Sequence, residues 1–266
     1  MDVIIILFFL ALFVVFLFTL IIEPTYILLF NRPVYVHFYP VKHELDANDK
    51  RVLRNNFTFY KRLSEKRKTY FEHRVATFIN KYTFMGRNEL DVTREMQLKI
   101  AATAIMLTFG MRRYLHSTFR VIIIYPDAFL SRTGNYHKGE FNPLAGAVVF
   151  SWKHFEEGLY HDNDNINLGL HEFAHVLHLD AKRRRRIGSS LVIFSDTLDK
   201  IWHYIQHPEN REALLESNYL RSYAYTNRFE FTAVLLEHFF ETPHELRQHF
   251  PKLYVYVRSM INYREG

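Results

Sequence analysis

The chain of 266 residues contains no cysteine, which excludes disulfides and any metal site built on thiolates but fixes no cellular compartment. Glycine and proline are sparse, 9 and 8 in all, and they are scattered. They form no low-complexity linker and no internal repeat, so residues from about 42 onward read as one compact domain. Charge is missing altogether from Val3 to Ile22, where VIIILFFLALFVVFLFTLII runs for twenty residues without an ionisable side chain. As a helix rising about 1.5 Å per residue, that run matches the roughly 30 Å hydrocarbon core of a bilayer.

A cleaved signal peptide would need a positive start, a shorter apolar run and a small-residue cleavage site, whereas Asp2 and Glu23-Pro24 flank this one. A helix apolar on every side also suits lipid better than the edge of a soluble core. The expectation is a transmembrane anchor with its juxtamembrane segment over 1–41, spanning at about 3–22, and a domain over 42–266. Arg32, Lys42, Lys50, Arg51 and Arg54 follow the apolar run, and only the terminal amine precedes it. By the positive-inside rule the chain is a single-pass protein of the inner, cytoplasmic membrane with its domain facing the cytoplasm. The formal charge of +6 suits a domain held beside an anionic leaflet. Tyr26, Tyr35, Phe38 and Tyr39 fit an aromatic belt or short strand pairing equally well.

Residues 45–64 and 66–81 carry Leu, Phe and Tyr at helical spacing among charges, which predicts two amphipathic helices. Thr93 caps a third, largely buried helix running to Met111. Val121 to Tyr125, stopped by Pro126, is a buried strand; residues 131–143 carry turn residues, and Ala145 to Trp152 is a second strand leading to a polar loop at Tyr160 to Asn165. Helical patterns follow at about 189–206, 228–241 and 243–262. The fold class expected is α+β, mostly helical with a small sheet.

The chemistry centres on Leu168 to His178, an apolar helical pattern containing H-E-x-x-H. Residues four apart lie above one another on a helix, so His171 and His175 can share one cation. Glu172 beside the first ligand is placed to take a proton from a metal-bound water. His178 is seven residues from His171, roughly 10 Å along the axis, while zinc–nitrogen bonds are about 2.0–2.1 Å, so all three histidines cannot reach one ion. His178 is therefore a packed or supporting histidine. The spacing H-E-x-x-H-x-x-G-x-x-H fails as well, because positions 178 and 181 are His178 and Ala181. A third ligand must come from a later element. Glu230 and Glu237 stand two turns apart in an otherwise apolar stretch, and either serves on residue type alone.

Beyond the motif, Asn167 to His175, Ser151-Trp152, Ser222-Tyr223-Ala224, Phe229 to Val234 and Glu237 to Pro243, preceded in order by Leu90 to Thr93, Ile100 to Ala102 and Ile124 to Phe129, resemble the Mlc titration factor A family of zinc peptidases. The resemblance covers roughly 50–262 and implies a zincin-like domain holding one catalytic zinc ion. It places the third ligand on Glu230, leaves Glu237 to accept a hydrogen bond from a ligating histidine, and aligns Tyr223 with a tyrosine facing the active site. It implies a peptide or protein substrate. It also implies an alternative, a tethered protein sequestering a cytoplasmic transcriptional regulator, with a structural or vestigial zinc site. Whether peptides are trimmed from the end, as by an aminopeptidase, or cut internally is left open. The sequence departs from the family where His178 stands in place of the aspartate of H-E-F-A-H-x-L-D, with Asp180 two residues on, and in the basic run Lys182 to Arg186. That run has no interleaved aromatics, which disfavours nucleic acid and leaves a solvated loop or contact with an anionic leaflet.

Overall fold

The fold was analysed in a computed structural model that describes residues 2–131, 134–161, 163–183 and 189–264. An apolar helix α1 (Asp2–Leu17) passes through a π turn (Phe18–Ile22) into α2 (Glu23–Phe30). Then come α3 (Ala47–Asn56), α4 (Thr58–Lys61), α5 (Glu65–Lys81), β1 (Thr83–Gly86), α6 (Arg94–Thr108), β2 (Val121–Tyr125), β3 (Phe129–Leu130), β4 (Tyr136–His137), β5 (Gly139–Asn142) and β6 (Ala147–Ser151). Helices α7 (Trp152–Tyr160), α8 (Leu168–Arg183), α9 (Ser190–Gln206) and α10 (Pro208–Glu216), a 3₁₀ turn (Ser222–Tyr225), and α11 (Arg228–Glu241), α12 (Pro243–His249) and α13 (Pro251–Met260) complete the chain. The class is α+β and mostly helical, as the patterning predicts.

The main sheet has the order β1-β2-β6-β5, with β1, β2 and β6 parallel and β5 antiparallel at the edge. Ile122 and Ile124 of β2 are fully buried, and all five residues of β6 are buried, as expected of strands covered on both faces. Helix α6 is buried nearly throughout, and its cap is the predicted one: Thr93 Oγ1 accepts from Met96 N at 3.2 Å. Helix α8 packs against α6, α7, α9 and α11 and against β5 and β6, so it sits at the centre of the domain. Its far end is fixed by Asp180, which is buried and accepts from Ser117 Oγ at 3.1 Å and faces His116 Nδ1 at 2.8 Å.

Several elements differ from the sequence reading. The segment 45–64 divides at Phe57, whose extended backbone buries its ring and separates α3 from α4. Pro251 divides the last predicted helix into α12 and α13, because proline at its first turn has no N–H to continue the preceding one. The short β1 and the nine-residue α10 carry no clear periodicity, and β5 lies inside a stretch rich in turn residues. Trp152 opens α7 instead of ending the strand.

The apolar helix is joined firmly to the domain. Over Val3–Phe30 it is long and apolar enough to cross a membrane, with a mean hydropathy of 3.4 in its most apolar window and none of that window buried. Just past this window Glu23 is buried and forms a bidentate pair with Arg112, while Ile27 is buried and Asn31 Nδ2 donates to Ser259 Oγ at 2.8 Å. The following segment reaches Arg74, a fully buried guanidinium that donates to Val36 O at 3.2 Å, Phe109 O at 3.0 Å and Thr108 O at 3.1 Å.

Candidate metal centre

Two helices present the donor atoms, and each begins at an asparagine cap just before its contribution. Asn167 Oδ1 accepts from Leu170 N at 3.0 Å and Asn167 O from His171 N at 2.9 Å, which starts α8 so that His171 falls in its first turn. Asn227 Oδ1 accepts from Phe229 N at 2.8 Å and from Glu230 N at 3.1 Å, which does the same for α11. Where α8 and α11 pack together, His171, His175 and Glu230 meet with one donor atom each inside 4.8 Å.

The spacings match a single small cation. His171 Nε2 and His175 Nε2 are 3.1 Å apart, His171 Nε2 and Glu230 Oε2 3.0 Å, and His175 Nε2 and Glu230 Oε1 3.5 Å. A tetrahedral zinc with bonds of about 2.0–2.1 Å has ligand-to-ligand edges of about 3.3 Å, which these values bracket. Glu230 Oε2 is buried 3.0 Å from His171 Nε2, and Glu230 Oε1 lies 3.5 Å from His175 Nε2. Such a group is costly to bury unless a cation satisfies it. With no cysteine in the chain, this two-nitrogen, one-oxygen set is also the ligand chemistry of an open catalytic zinc site.

Charges within the cluster are unequal. Burial alone would lower His171, but its hydrogen bonds to Glu230 and Glu237 outweigh burial and raise it to about 9. Burial and the neighbouring His171 charge lower His175, while the two histidines hold Glu230 below the ordinary carboxylate range against its burial. The cluster thus gathers one proton at His171, and a dication competes with that proton for the same lone pair.

Glu237, one of the two glutamates left open on residue type, is not among the converging atoms. It stands behind His171, fully buried, with Oε1 2.7 Å from His171 Nδ1. Its carboxylate also accepts from Arg221 Nη2 at 2.7 Å, Arg221 Nη1 at 3.1 Å and Asn167 N at 2.9 Å. A carboxylate that takes the Nδ1 proton fixes the imidazole so that the Nε2 lone pair faces the cluster. Arg221 and the cap of Asn167 carry no motif of their own, and only folding shows their part. Arg221 Nη1 also donates to Asn165 O at 2.6 Å, which ties the loop before α8 to the same network.

Glu172 is buried beside the cluster, and burial, offset by the His171 charge, pushes its carboxyl up to about 7. It is held by the backbone of Phe141 on β5. Close approach of that strand depends on Gly139: a Cβ there would lie 2.6 Å from Leu168 Cδ1 and 2.8 Å from Glu172 Oε1. Gly146, by contrast, has open space around it and a φ of +61°, so its role is the turn between β5 and β6. The sheet edge beside the motif is therefore β5, not the strand at 145–151, which is flanked on both sides. An open cleft of about 680 Å³ lies here, lined by His171, Glu172, Tyr223, Arg221, Gly139 and His154 among others.

Tyr223 is half exposed, its ring centroid 6.1 Å from that of His171. Burial and then the Glu230 charge raise its phenol above the ordinary value. His178 is away from the cluster, stacked on Phe229 at 4.0 Å and 13°, and burial lowers it to about 4. It is a packing histidine that supports α11 beside Glu230. Of the basic run, Lys182 and Arg183 end α8 exposed, and Arg184 to Arg186 lie outside the described residues.

The chain is similar to several known proteins. Among curated relatives, the Synechocystis sp. protein named "Uncharacterized protein slr2042" is 28% identical over 248 residues, 87% of this chain and 85% of its own. Mlc titration factor A of Serratia proteamaculans is 27% identical over 185 residues, covering 62% of this chain and 68% of its own. Mlc titration factor A of Pectobacterium atrosepticum is 25% identical over 196 residues, covering 66% and 72%. The sequence model of the glucose-regulated metallo-peptidase M90 family matches residues 39–262, and the chain belongs to that family.

Proposed function

We propose that this protein is a membrane-anchored, zinc-dependent peptidase. The observation that carries the reading is the convergence of His171, His175 and Glu230 beside an open cleft that His171 and Glu172 line, with the carboxyl of Glu172 buried. Those three residues would hold zinc, which when bound lowers the pKa of water toward 7 and polarises the peptide carbonyl. Glu172 takes the proton of the attacking water and delivers it to the departing amine, a role suited to a carboxyl poised near neutrality. The Tyr223 hydroxyl, on the cleft wall beside Glu230, donates to the oxygen that gains charge. Glu237 and Arg221 keep the His171 ring in one orientation throughout. The free edge of β5 offers backbone groups to an extended peptide, which would enter as an added strand.

Anchoring rests on the apolar helix Val3–Phe30, free of charge from Val3 to Ile22, and the positive residues after it support a cytoplasmic domain. The anchor and juxtamembrane segment at 1–41 and the peptidase domain at 42–266 remain our division of the chain. Because Glu23, Val36 and Tyr39 pack into the domain, the anchor acts as a stiff strut rather than a loose tether.

Glu172→Gln in the full chain, purified in detergent, tests the enzymatic reading. Zinc content should stay at one per chain while peptide hydrolysis falls about 10²–10⁴-fold; unchanged hydrolysis would sink it. The names of two relatives favour a second reading, in which the chain captures a cytoplasmic transcriptional regulator and the metal serves structure. Stoichiometric zinc with no cleavage of any peptide in a diverse library would select that alternative.

A further inference from the structure

The apolar helix and the domain meet at Tyr35. Its ring centroid lies 6.3 Å from that of Phe18 and 4.7 Å from the guanidinium carbon of Arg112, which in turn holds the buried Glu23 carboxylate. Phe18 stands inside the uncharged run Val3 to Ile22, four residues short of its end, or roughly 6 Å along the axis. With Tyr35 fixed beside Phe18, the segment after α2 turns back to the level at which the apolar run ends.

From there the segment is pinned along α5. Val36 O accepts from Arg74 Nη2 at 3.2 Å, and the His37 ring stacks on Tyr70 at 4.6 Å and 16°. The Tyr39 hydroxyl accepts from Arg74 Nε, and its ring lies 4.1 Å from that of His73. While these contacts hold His37 and Tyr39 against the domain, Tyr35, Phe38 and Val41 are exposed at intervals of three residues. Phe38 is 73% and Val41 76% exposed, matching the most open side chains of the apolar run itself. The Tyr35 and Phe38 ring centroids are 6.5 Å apart, so the row is continuous from Phe18 outward. Single exposed apolar residues need no explanation, but a connected row that begins at an uncovered apolar helix does. Lys42 follows Val41 and Arg113 follows Arg112; both cations are exposed, as is the one nearby acid in the segment, Glu44.

We infer that Tyr35, Phe38 and Val41 form a ridge that inserts into the headgroup region of the leaflet, so that the domain itself docks on the bilayer beside its anchor. This ridge, which presupposes the reading of α1 as a membrane anchor, is a second and separate contact with lipid. Aromatic side chains favour the boundary between headgroups and acyl chains, and Lys42 and Arg113 suit the anionic lipids of such a surface. A domain on a flexible linker would lose freedom on docking. Here the Glu23–Arg112 pair and the bonds of Arg74 already hold the ridge at a set height, so little chain ordering opposes its insertion. The domain then keeps one tilt towards the leaflet.

Because the chain has no cysteine, a single introduced one carries a single label. Phe38→Cys, Val41→Cys and, within the anchor, Phe13→Cys are each labelled with a fluorescent dye in the full chain and reconstituted in nanodiscs of phosphatidylcholine and phosphatidylglycerol. The lipids carry a nitroxide quencher either near the headgroup or deep in the acyl chain. Phe13 lies roughly 13 Å inside the end of the apolar run, so its label should be quenched more by the deep nitroxide. The labels at 38 and 41 should be quenched more by the shallow one, as side chains seated about 5–10 Å into the boundary are. Quenching at 13, with none at 38 and 41 beyond that of a dye–glutathione adduct free in solution, would overturn the ridge and leave the anchor standing. No quenching at 13 would overturn the anchor and the ridge with it. Self-quenching at 38 that is relieved by dilution with unlabelled chain, without quenching by lipid, would assign the face to a second copy and likewise overturn the inference. Val41→Cys keeps the test decisive if Phe38→Cys misfolds.

Discussion

Glu237 and Glu241 stand one turn apart on α11 and are both sequestered, yet they live in opposite conditions. Glu237 is fully buried and accepts from Arg221, from Asn167 N and from the His171 ring, in a network that also orients His171. Glu241 has no hydrogen bond at either oxygen and is held neutral up to about 8. The difference teaches that burial alone does not decide how a carboxyl is satisfied: the partners do.

The sharpest way to break the comparison is at the metal. Removing the ion with a chelator should abolish peptide hydrolysis, and one equivalent of zinc should restore it. Persistent turnover in metal-free protein would mean that the convergence of His171, His175 and Glu230 serves another purpose. Next is Glu237→Ala, which leaves Arg221 and His171 Nδ1 without their shared partner. Zinc affinity measured against a competing chelator, or turnover, should fall about 10–100-fold, whereas an unaltered affinity would reduce Glu237 to packing.

Gly139→Ala should act more modestly, because its Cβ would collide with Glu172 Oε1 and Leu168 Cδ1. A drop of about tenfold in kcat at unchanged zinc content is expected, and full activity would show that β5 yields freely. The smallest effect concerns stability. The folded state retains a proton on Glu241 that the unfolded chain releases near 4.5, so Glu241 destabilises the fold progressively as pH rises from about 4.5 to about 8. Denaturant midpoints of Glu241→Gln should therefore match the parent at low pH and exceed it at pH 8; parallel curves across that window would refute this.

Much of the site can be read without coordinates, for a local reason. The alignment of His171, Glu172 and His175 follows from helical spacing alone, and the exclusion of His178 from the cluster follows from rise per residue against bond length. The cap at Thr93 is likewise an interaction within a few residues. The choice between Glu230 and Glu237 is not local. It depends on how α11 is rotated against α8, and residue type leaves it open; family resemblance points to Glu230, and packing places Glu230 among the donor atoms and Glu237 behind them. Strand β5 was hidden among turn residues because its pairing partner and the helix it touches are supplied by other parts of the chain.

The sequence by itself determined an α+β class, a long uncharged apolar helix, the buried strands β2 and β6 and a two-histidine, one-glutamate motif on a helix, because each is written in patterns of period two, period near 3.6 or plain composition. Only the tertiary structure decided that β5 is the edge over the cleft, that Arg221 and Asn167 secure Glu237, that Glu23 locks the apolar helix to Arg112, and that the Glu241 oxygens are buried. Those facts join residues tens of positions apart, and what brings them together is the burial of helices and sheet against one another, which no local spacing encodes.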